Sequence, residues 1–268
     1  MPLLALRVEV ERAQAEALSE ALMESGAQSV SIEAPEATHP VLSALFGDAA
    51  TLEACRALLP NAGAAQEVGE QDWVRASQAQ FEPWRAGRLW IGATWHEAPA
   101  DATAALRIDP GLAFGTGSHP TTRLVLGFLE KEIRGGERVL DYGCGSGILA
   151  IAAAKLGARS VDAVDIDPVA VEVARANARA NSVEIGCSLA SELAARHYQV
   201  VVANILARPL VDLAPVLREH VAAGGRIALA GVLEEQAEEV ADAYRPAFDI
   251  GRAAGEEGWV LLAGRRRS

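Results

Sequence analysis

The segment DYGCGSG, residues 141–147, sets an acid and three glycines at every second position, Asp141, Gly143, Gly145 and Gly147, and runs directly into the apolar stretch ILAIAAAKL. Glycine at such a junction lets backbone come close to a bound molecule, and a helix starting behind it offers unpaired N–H groups. The spacing is GxGxG. The position that would complete the dinucleotide pattern GxGxxG is Ile148, whose side chain would crowd the helix against the strand where that pattern needs a third glycine. Asp141 points the same way, because a carboxylate beside a pyrophosphate is repelled and one beside a ligand ammonium is attracted. A strand-to-helix turn that needs glycine only for its backbone is the plainer alternative for this segment.

Asp165 closes the run SVDAVD, 22 residues after Gly143. A carboxylate at the end of a second strand is placed to take both hydroxyls of a ribose. Asp167, directly before Pro168, is explained as a helix N-cap with proline in the first turn. Asn204 ends the apolar run YQVVVAN, and its carbonyl suits a substrate amine N–H. The stretch DPGLAFGTGSHPTT (109–122) carries three glycines, and Thr116, Ser118, Thr121 and Thr122. So permissive a backbone ahead of a helix near Pro120 suggests a lid that brings hydroxyls to the ligand. His119 reads equally as a general base or as a cap or packing residue.

These residues need a frame that brings strand ends together. From Glu137 onward apolar strands alternate with helices: ERVLDYG, Ile148–Leu156, SVDAVD, Pro168–Ala180, VEIGC, YQVVVAN, Pro209–His220, GGRIALAG, Glu234–Tyr244. That order means βαβ units and a parallel sheet covered on both faces. FDIGR and GWVLLAG close the chain as an antiparallel pair, since AAGEE between them is too short for a crossover. Residues 1–69 read as a smaller α+β unit of the split βαβ (ferredoxin-like) kind: strand LALRVEV, helix Glu11–Ser25 stopped by Gly26, strand QSVSIE, an irregular stretch, helix LEACRALL and strand AAQEV. Residues 70–98 form a connector holding Trp73, Trp84, Trp90 and Trp95, expected as a helix and a strand pair that bury indole rings. A base-stacking platform is the sharper alternative, disfavoured because Arg75, Arg85 and Arg88 are the only cations nearby. Residues 99–268 complete the larger unit.

The chain has 268 residues, 24 basic against 36 acidic, formal charge −12 and half its residues hydrophobic, which disfavours both disorder and a basic nucleic-acid clamp. Residues 1–70 hold 11 acidic and 3 basic side chains, net −8, against net −4 for the rest. That asymmetry suggests two units with different partners. Three cysteines, Cys55, Cys144 and Cys187, without CxxC or His-flanked spacing encode neither a disulfide framework nor a zinc site. No run approaches the roughly 18 apolar residues of a membrane span. The terminal RRRS is expected to be solvated. A cytoplasmic setting fits.

The glycine loop, Asp141 and Asp165 together resemble the class I methyltransferases that use S-adenosylmethionine. The resemblance implies a seven-stranded Rossmann-like sheet with an antiparallel final strand, the acid and loop holding the methionine moiety and Asp165 the ribose. At the place of the Asn-Pro-Pro-aromatic motif of amino-group methyltransferases stands Asn204-Ile-Leu-Ala207, lacking an aromatic to stack on a flipped base. Over its whole length the chain is similar to the PrmA family, methyltransferases of large-subunit ribosomal protein eleven. QDWVRASQAQFEPWRAGRLWIGATW, RIDPGLAFGTGSHPTT (with Ile108 where the family has Leu), LDYGCGSGILAIAAAKLGA, DIDPVAVEVARANARAN and VVANILA carry the match. The similarity implies that Thr122, Gly143, Asp165 and Asn204 contact S-adenosylmethionine, with Asp141, Gly145, Phe114 and Gly115 beside them, and that Asn204 also orients the acceptor. It further implies that the acceptors are Lys side chains and the N-terminal amine of that ribosomal protein, recognised by the N-terminal unit. The expected protein is a monomer with no metal, membrane or direct nucleic-acid partner.

Overall fold

The alternating run LLALRVE forms strand β1 (Leu3–Glu9), placing Leu6 and Val8 inward. The computed structural model describes residues 3–27, 29–33, 37–56, 59, 66–68, 82–109 and 119–267. The chain divides into two units, Met1–Gln80 and Phe81–Ser268.

In the first unit β1 is followed by α1 (Arg12–Glu24), β2 (Ser29–Glu33), β3 (Val41–Phe46), α2 (Ala49–Arg56) and β4 (Gln66–Val68). The sheet order is β2-β3-β1-β4 with every pair antiparallel, so β3 separates β1 from β2 in the split βαβ arrangement. α1 stops where expected, at Gly26, whose φ of +105° suits glycine. Leu6, Leu22, Leu42, Phe46 and Leu52 close the core. Strand β3 corrects the sequence reading, which left this stretch irregular. Leu42, Ala44 and Phe46 point inward, but Leu45 on the other face is buried as well. Apolar residues on both faces blur the period of two that marks a half-buried strand.

The second unit opens with a three-stranded sheet, β5 (Trp84–Ala86) antiparallel to β6 (Leu89–Gly92), itself parallel to β7 (Ala104–Arg107). Trp90 is buried beneath the Arg107 guanidinium, 5.8 Å from the ring centroid, so it is a packing residue. The expected connector helix and Trp73 lie outside the described residues. Asn181, the C-cap of the helix Pro168–Ala180, ties this sheet to that helix: its Oδ1 takes the Arg107 N–H at 2.8 Å and its Nδ2 donates to the Arg107 carbonyl at 2.7 Å.

Then follow α3 (Pro120–Glu132), β8 (Arg138–Tyr142), α4 (Ile148–Lys155), β9 (Ser160–Asp165), α5 (Pro168–Ala180), β10 (Gly186–Leu189), β11 (Tyr198–Asn204), α6 (Ala207–His220), β12 (Val221–Leu233), α7 (Ala237–Tyr244), β13 (Phe248–Glu256) and β14 (Trp259–Arg266). The seven-stranded sheet runs β10-β9-β8-β11-β12-β14-β13. β8 to β12 are parallel, and β14, wedged between β12 and β13, runs against both. The closing hairpin was expected to turn through AAGEE. The strands instead extend to a two-residue turn at Glu257 and Gly258, both at positive φ, as a tight hairpin requires. The basic terminus is exposed at Arg265 and Arg267. Arg265 and Arg266 belong to β14 and donate to the carbonyls of Gly224 and Val221.

Two apolar layers cover the sheet. One face carries Val125, Leu129, Ile151 and Val161, the other Val201, Leu210, Val240 and Phe248. The first six residues of α4 are all buried, as a helix apolar on every side demands.

Candidate functional site

Strand order reverses beside β8: β9 lies on one side and β11 on the other. At such a switch point the loops after the strands part and leave a crevice at their C-terminal ends. The glycine loop follows β8, Asp165 ends β9 and Asn204 ends β11, so three segments singled out by sequence meet at one edge.

The glycine loop is held from β9. The N–H groups of Gly143 and Cys144 both donate to the Val164 carbonyl, at 2.8 and 3.0 Å. Gly143, Gly145 and Gly147 have φ of +78°, +51° and +77°, the left-handed region that favours glycine. Two of them are also required by space. A Cβ on Gly143 would lie 2.4 Å from Ile205 Cγ2, and one on Gly147 would lie 2.9 Å from Ala174 Cβ. Gly147 caps α4 without a side chain. The thiol of Cys144 is buried, and burial pushes its pKa up, away from a reactive thiolate.

Asp165 organises the loop. Its Oδ2 accepts the Gly145 N–H at 2.9 Å and its Oδ1 the Asp167 N–H at 3.0 Å. Asp167 caps α5 by accepting the Val169 N–H at 2.8 Å, with Pro168 in the first turn. Asp167 is thus the helix cap its sequence context indicates, while Asp165 ties the glycine loop to the end of β9.

Asp141 lies beneath the loop, 0% exposed. Its Oδ2 accepts the Ala150 N–H at 3.1 Å and its Oδ1 has no hydrogen-bond partner. Burial, with the Asp165 charge adding to it, raises the pKa to about 7, against the pull of the Ala150 N–H. A buried, half-satisfied carboxyl next to a glycine cradle suits a cation above it.

Asn204 donates from Nδ2 to Thr122 Oγ1 at 3.4 Å, which leaves its carbonyl oxygen as the acceptor it offers the crevice. Thr122 is itself buried at the start of α3. His119 resolves to a cap: its ring nitrogen Nδ1 accepts the Thr121 N–H at 3.3 Å and lies 2.7 Å from Thr121 Oγ1, with the ring edge-on to Trp259. Asp109, at the other end of that stretch, takes the N–H and hydroxyl of Thr94 at 2.7 and 2.8 Å. Phe114 and Gly115, with Thr116 and Ser118, lie outside the described residues.

Sequence reasoning passed over Ile166, 85% exposed between the two acids, and Leu206, 70% exposed just after Asn204. The available signal was a large apolar residue beside a committed polar one at a strand end. A cavity of about 580 Å³ lies at the opposite edge of the sheet, among Glu132, Glu137, Arg226 and Arg265. There Arg226 already pairs with Glu132 and Arg265 with the Gly224 carbonyl.

The family model described as Ribosomal protein L11 methyltransferase (PrmA) matches residues 2–267. The ribosomal protein L11 methyltransferase of Thiobacillus denitrificans is 50% identical, covering 100% of both chains. That of Paraburkholderia phymatum is 48% identical over 98% of this chain and 97% of its own. Among solved structures, the ribosomal protein L11 methylase of Lactobacillus delbrueckii subsp. bulgaricus gives a TM-score of 0.61 at 34% identity, covering 68% of this chain and 96% of that one.

Proposed function

Since the chain belongs to the ribosomal protein L11 methyltransferase (PrmA) family, we propose that the crevice between β8, β9 and β11 holds S-adenosylmethionine and the amine it methylates. The chain is a protein methyltransferase that uses S-adenosylmethionine and acts on ribosomal protein L11. The residue roles that follow are our reading of the site.

The donor set fits the cofactor. Gly143 and Gly145 turn the loop at positive φ, Asp141 Oδ1 is a buried acceptor without a hydrogen-bond partner, and Asp165 has lone pairs left beyond its two backbone bonds. Gly143 and Gly145 would face the cationic methionine end with the Asp141 carboxyl beneath them, and Asp165 the ribose, with Ile166 offering the base an apolar surface. When bound, the cofactor supplies a sulfonium methyl that an amine nitrogen takes, the C–S electron pair staying on a neutral thioether. Phe114, Gly115 and Thr122 complete the cofactor side in this reading.

The chain's own task is to orient the amine, exclude water and favour its neutral form. A lysine with an ordinary pKa near 10.4 costs about 4.6 kcal/mol to neutralise at pH 7, and an N-terminal amine about 1 kcal/mol. Apolar surroundings supply the shift by desolvation. Asn204, fixed through Thr122, directs the nitrogen lone pair by accepting one amine N–H. The proton that the acceptor ammonium loses goes to solvent before transfer, and the methylated nitrogen leaves as a cation.

The single observation that carries this reading is the Asn204–Thr122 contact at the edge where Asp165 shapes the glycine loop. Incubation with methyl-labelled S-adenosylmethionine and separate ribosomal protein and RNA fractions tests it. Label on lysine and N-terminal amines of L11 is expected; label confined to RNA would overturn it. The net −8 of residues 1–70 supports docking of a basic substrate there, mainly by steering encounter. Steering predicts a kcat/KM for free L11 that falls with salt, and a salt-independent value would remove that role. We place this activity in the cytoplasm, as a monomer acting on free protein without membrane or nucleic acid. Among the described residues no helix is long and apolar enough to cross a membrane.

A further inference from the structure

We propose that Leu206 favours lysine acceptors by forming the apolar wall along which the acceptor's methylene stem lies. This deepens the methyltransferase reading of the site and rests on it.

Three of the five large apolar side chains exposed among the described residues, Ile166, Val169 and Leu206, stand at the C-terminal edge of the sheet. Ile166 and Val169 follow β9 on the Asp165 side. Leu206 alone follows β11, two residues past Asn204, on the side given to the acceptor.

Its display is built in. Ile205 is clamped in place: its side chain packs on Gly143, its N–H donates to the Ala230 carbonyl at 3.2 Å, and its own carbonyl lies 2.2 Å from where a Cβ on Gly231 would stand. With Ile205 fixed, Leu206 is left 70% exposed. It also occupies the N-cap of α6, with extended backbone and no side-chain cap bond. Leucine is among the poorest N-caps, where Ser, Asp or Asn would satisfy a free N–H. Stability alone would choose another residue twice over, for the cap and for the exposed surface. A lysine stem laid against this side chain explains both departures. Its methylenes leave water there, and the ammonium that follows them is pushed toward its neutral form. An N-terminal amine carries no such stem and already titrates near neutrality, so it gains far less from the wall.

Leu206→Ser separates the two consequences. The new cap is expected to raise Tm by roughly 2–4 °C and to leave the S-adenosylmethionine Kd unchanged. Its kcat/KM for lysine methylation of L11 is expected to fall about tenfold, and the ratio of lysine to N-terminal product to fall with it. Leu206→Met, which keeps an apolar chain of similar size, is expected to recover most of that loss. An unchanged product ratio in Leu206→Ser overturns the proposal. So does a lower Tm, which would show that Leu206 packs against the protein itself, or a Met variant as impaired as the Ser one. A wild-type chain that methylates neither amine overturns the methyltransferase reading of the site and this proposal with it.

Discussion

One carboxylate shapes the glycine loop: Asp165 accepts the Gly145 N–H through Oδ2, at 2.9 Å, while its Oδ1 holds the Asp167 N–H at 3.0 Å. With Asp165 holding the ribose as proposed, loop shape and ligand contact depend on the same group. Asp165→Asn offers one acceptor where two are used and turns its amide N–H groups toward a backbone donor. S-adenosylmethionine affinity is expected to fall about 10- to 100-fold by calorimetric titration. Asp167→Asn, only two residues on, is expected to bind normally, because Asn caps a helix as well as Asp. Equal effects of the two substitutions would contradict this division of roles.

Gly143→Ala and Gly231→Ala press on the same neighbour. At Gly143 the added Cβ meets the Ile205 side chain at 2.4 Å, and at Gly231 it meets the Ile205 carbonyl oxygen at 2.2 Å. Both positions have positive φ, +78° and +82°, which alone costs about 1–2 kcal/mol. A side chain can be trimmed and a carbonyl cannot. Ile205→Ala is thus expected to restore part of the stability lost in Gly143→Ala and little of that lost in Gly231→Ala, read as Tm in a double-mutant cycle.

Asp141 makes stability depend on pH. Its folded pKa of about 7 lies above the ordinary carboxylate value of 3.8, so between those pH values the folded chain keeps a proton that the unfolded chain has lost. Stability from this group is complete below about pH 4, declines as pH rises to 7 and is flat above. Asp141→Asn keeps an oxygen for the Ala150 N–H and removes the titration. Relative to wild type, the variant is expected to gain roughly 1 kcal/mol per pH unit across that window. Ligand-free melting curves from pH 4 to 8 check this, and a constant difference would refute it.

His119 caps α3, so His119→Ala is expected to cost about 1 kcal/mol of stability and to leave the shape of the pH–rate profile for lysine methylation unaltered. Loss of one limb of that profile would make the imidazole a base.

The segments that meet at the crevice were readable in the sequence because their signals are local. Proline after Asp167 marks a cap, glycine at alternate positions after an apolar strand marks a cradle, and an acid or amide ending such a strand marks a crevice edge. The alternation of strands and helices gave the parallel sheet for the same reason. Strand β3 was missed, because Leu45 carries apolar character to its second face.

Residue types and spacing along this chain determined the kind of sheet, the cofactor chemistry and the capping role of Asp167. Folding alone decided that Asp141 is sealed beneath the loop, that Asn181 grips Arg107 across 74 residues, that β14 wedges between β12 and β13, and that His119 caps rather than stands free. Caps, turns and periodicity depend on neighbours within a few residues, whereas burial and long-range pairing depend on which distant segments pack together. Leu206 belongs to the second kind: as a letter it is one more apolar residue, and only the clamp that Gly143 and Gly231 close on Ile205 leaves it facing outward.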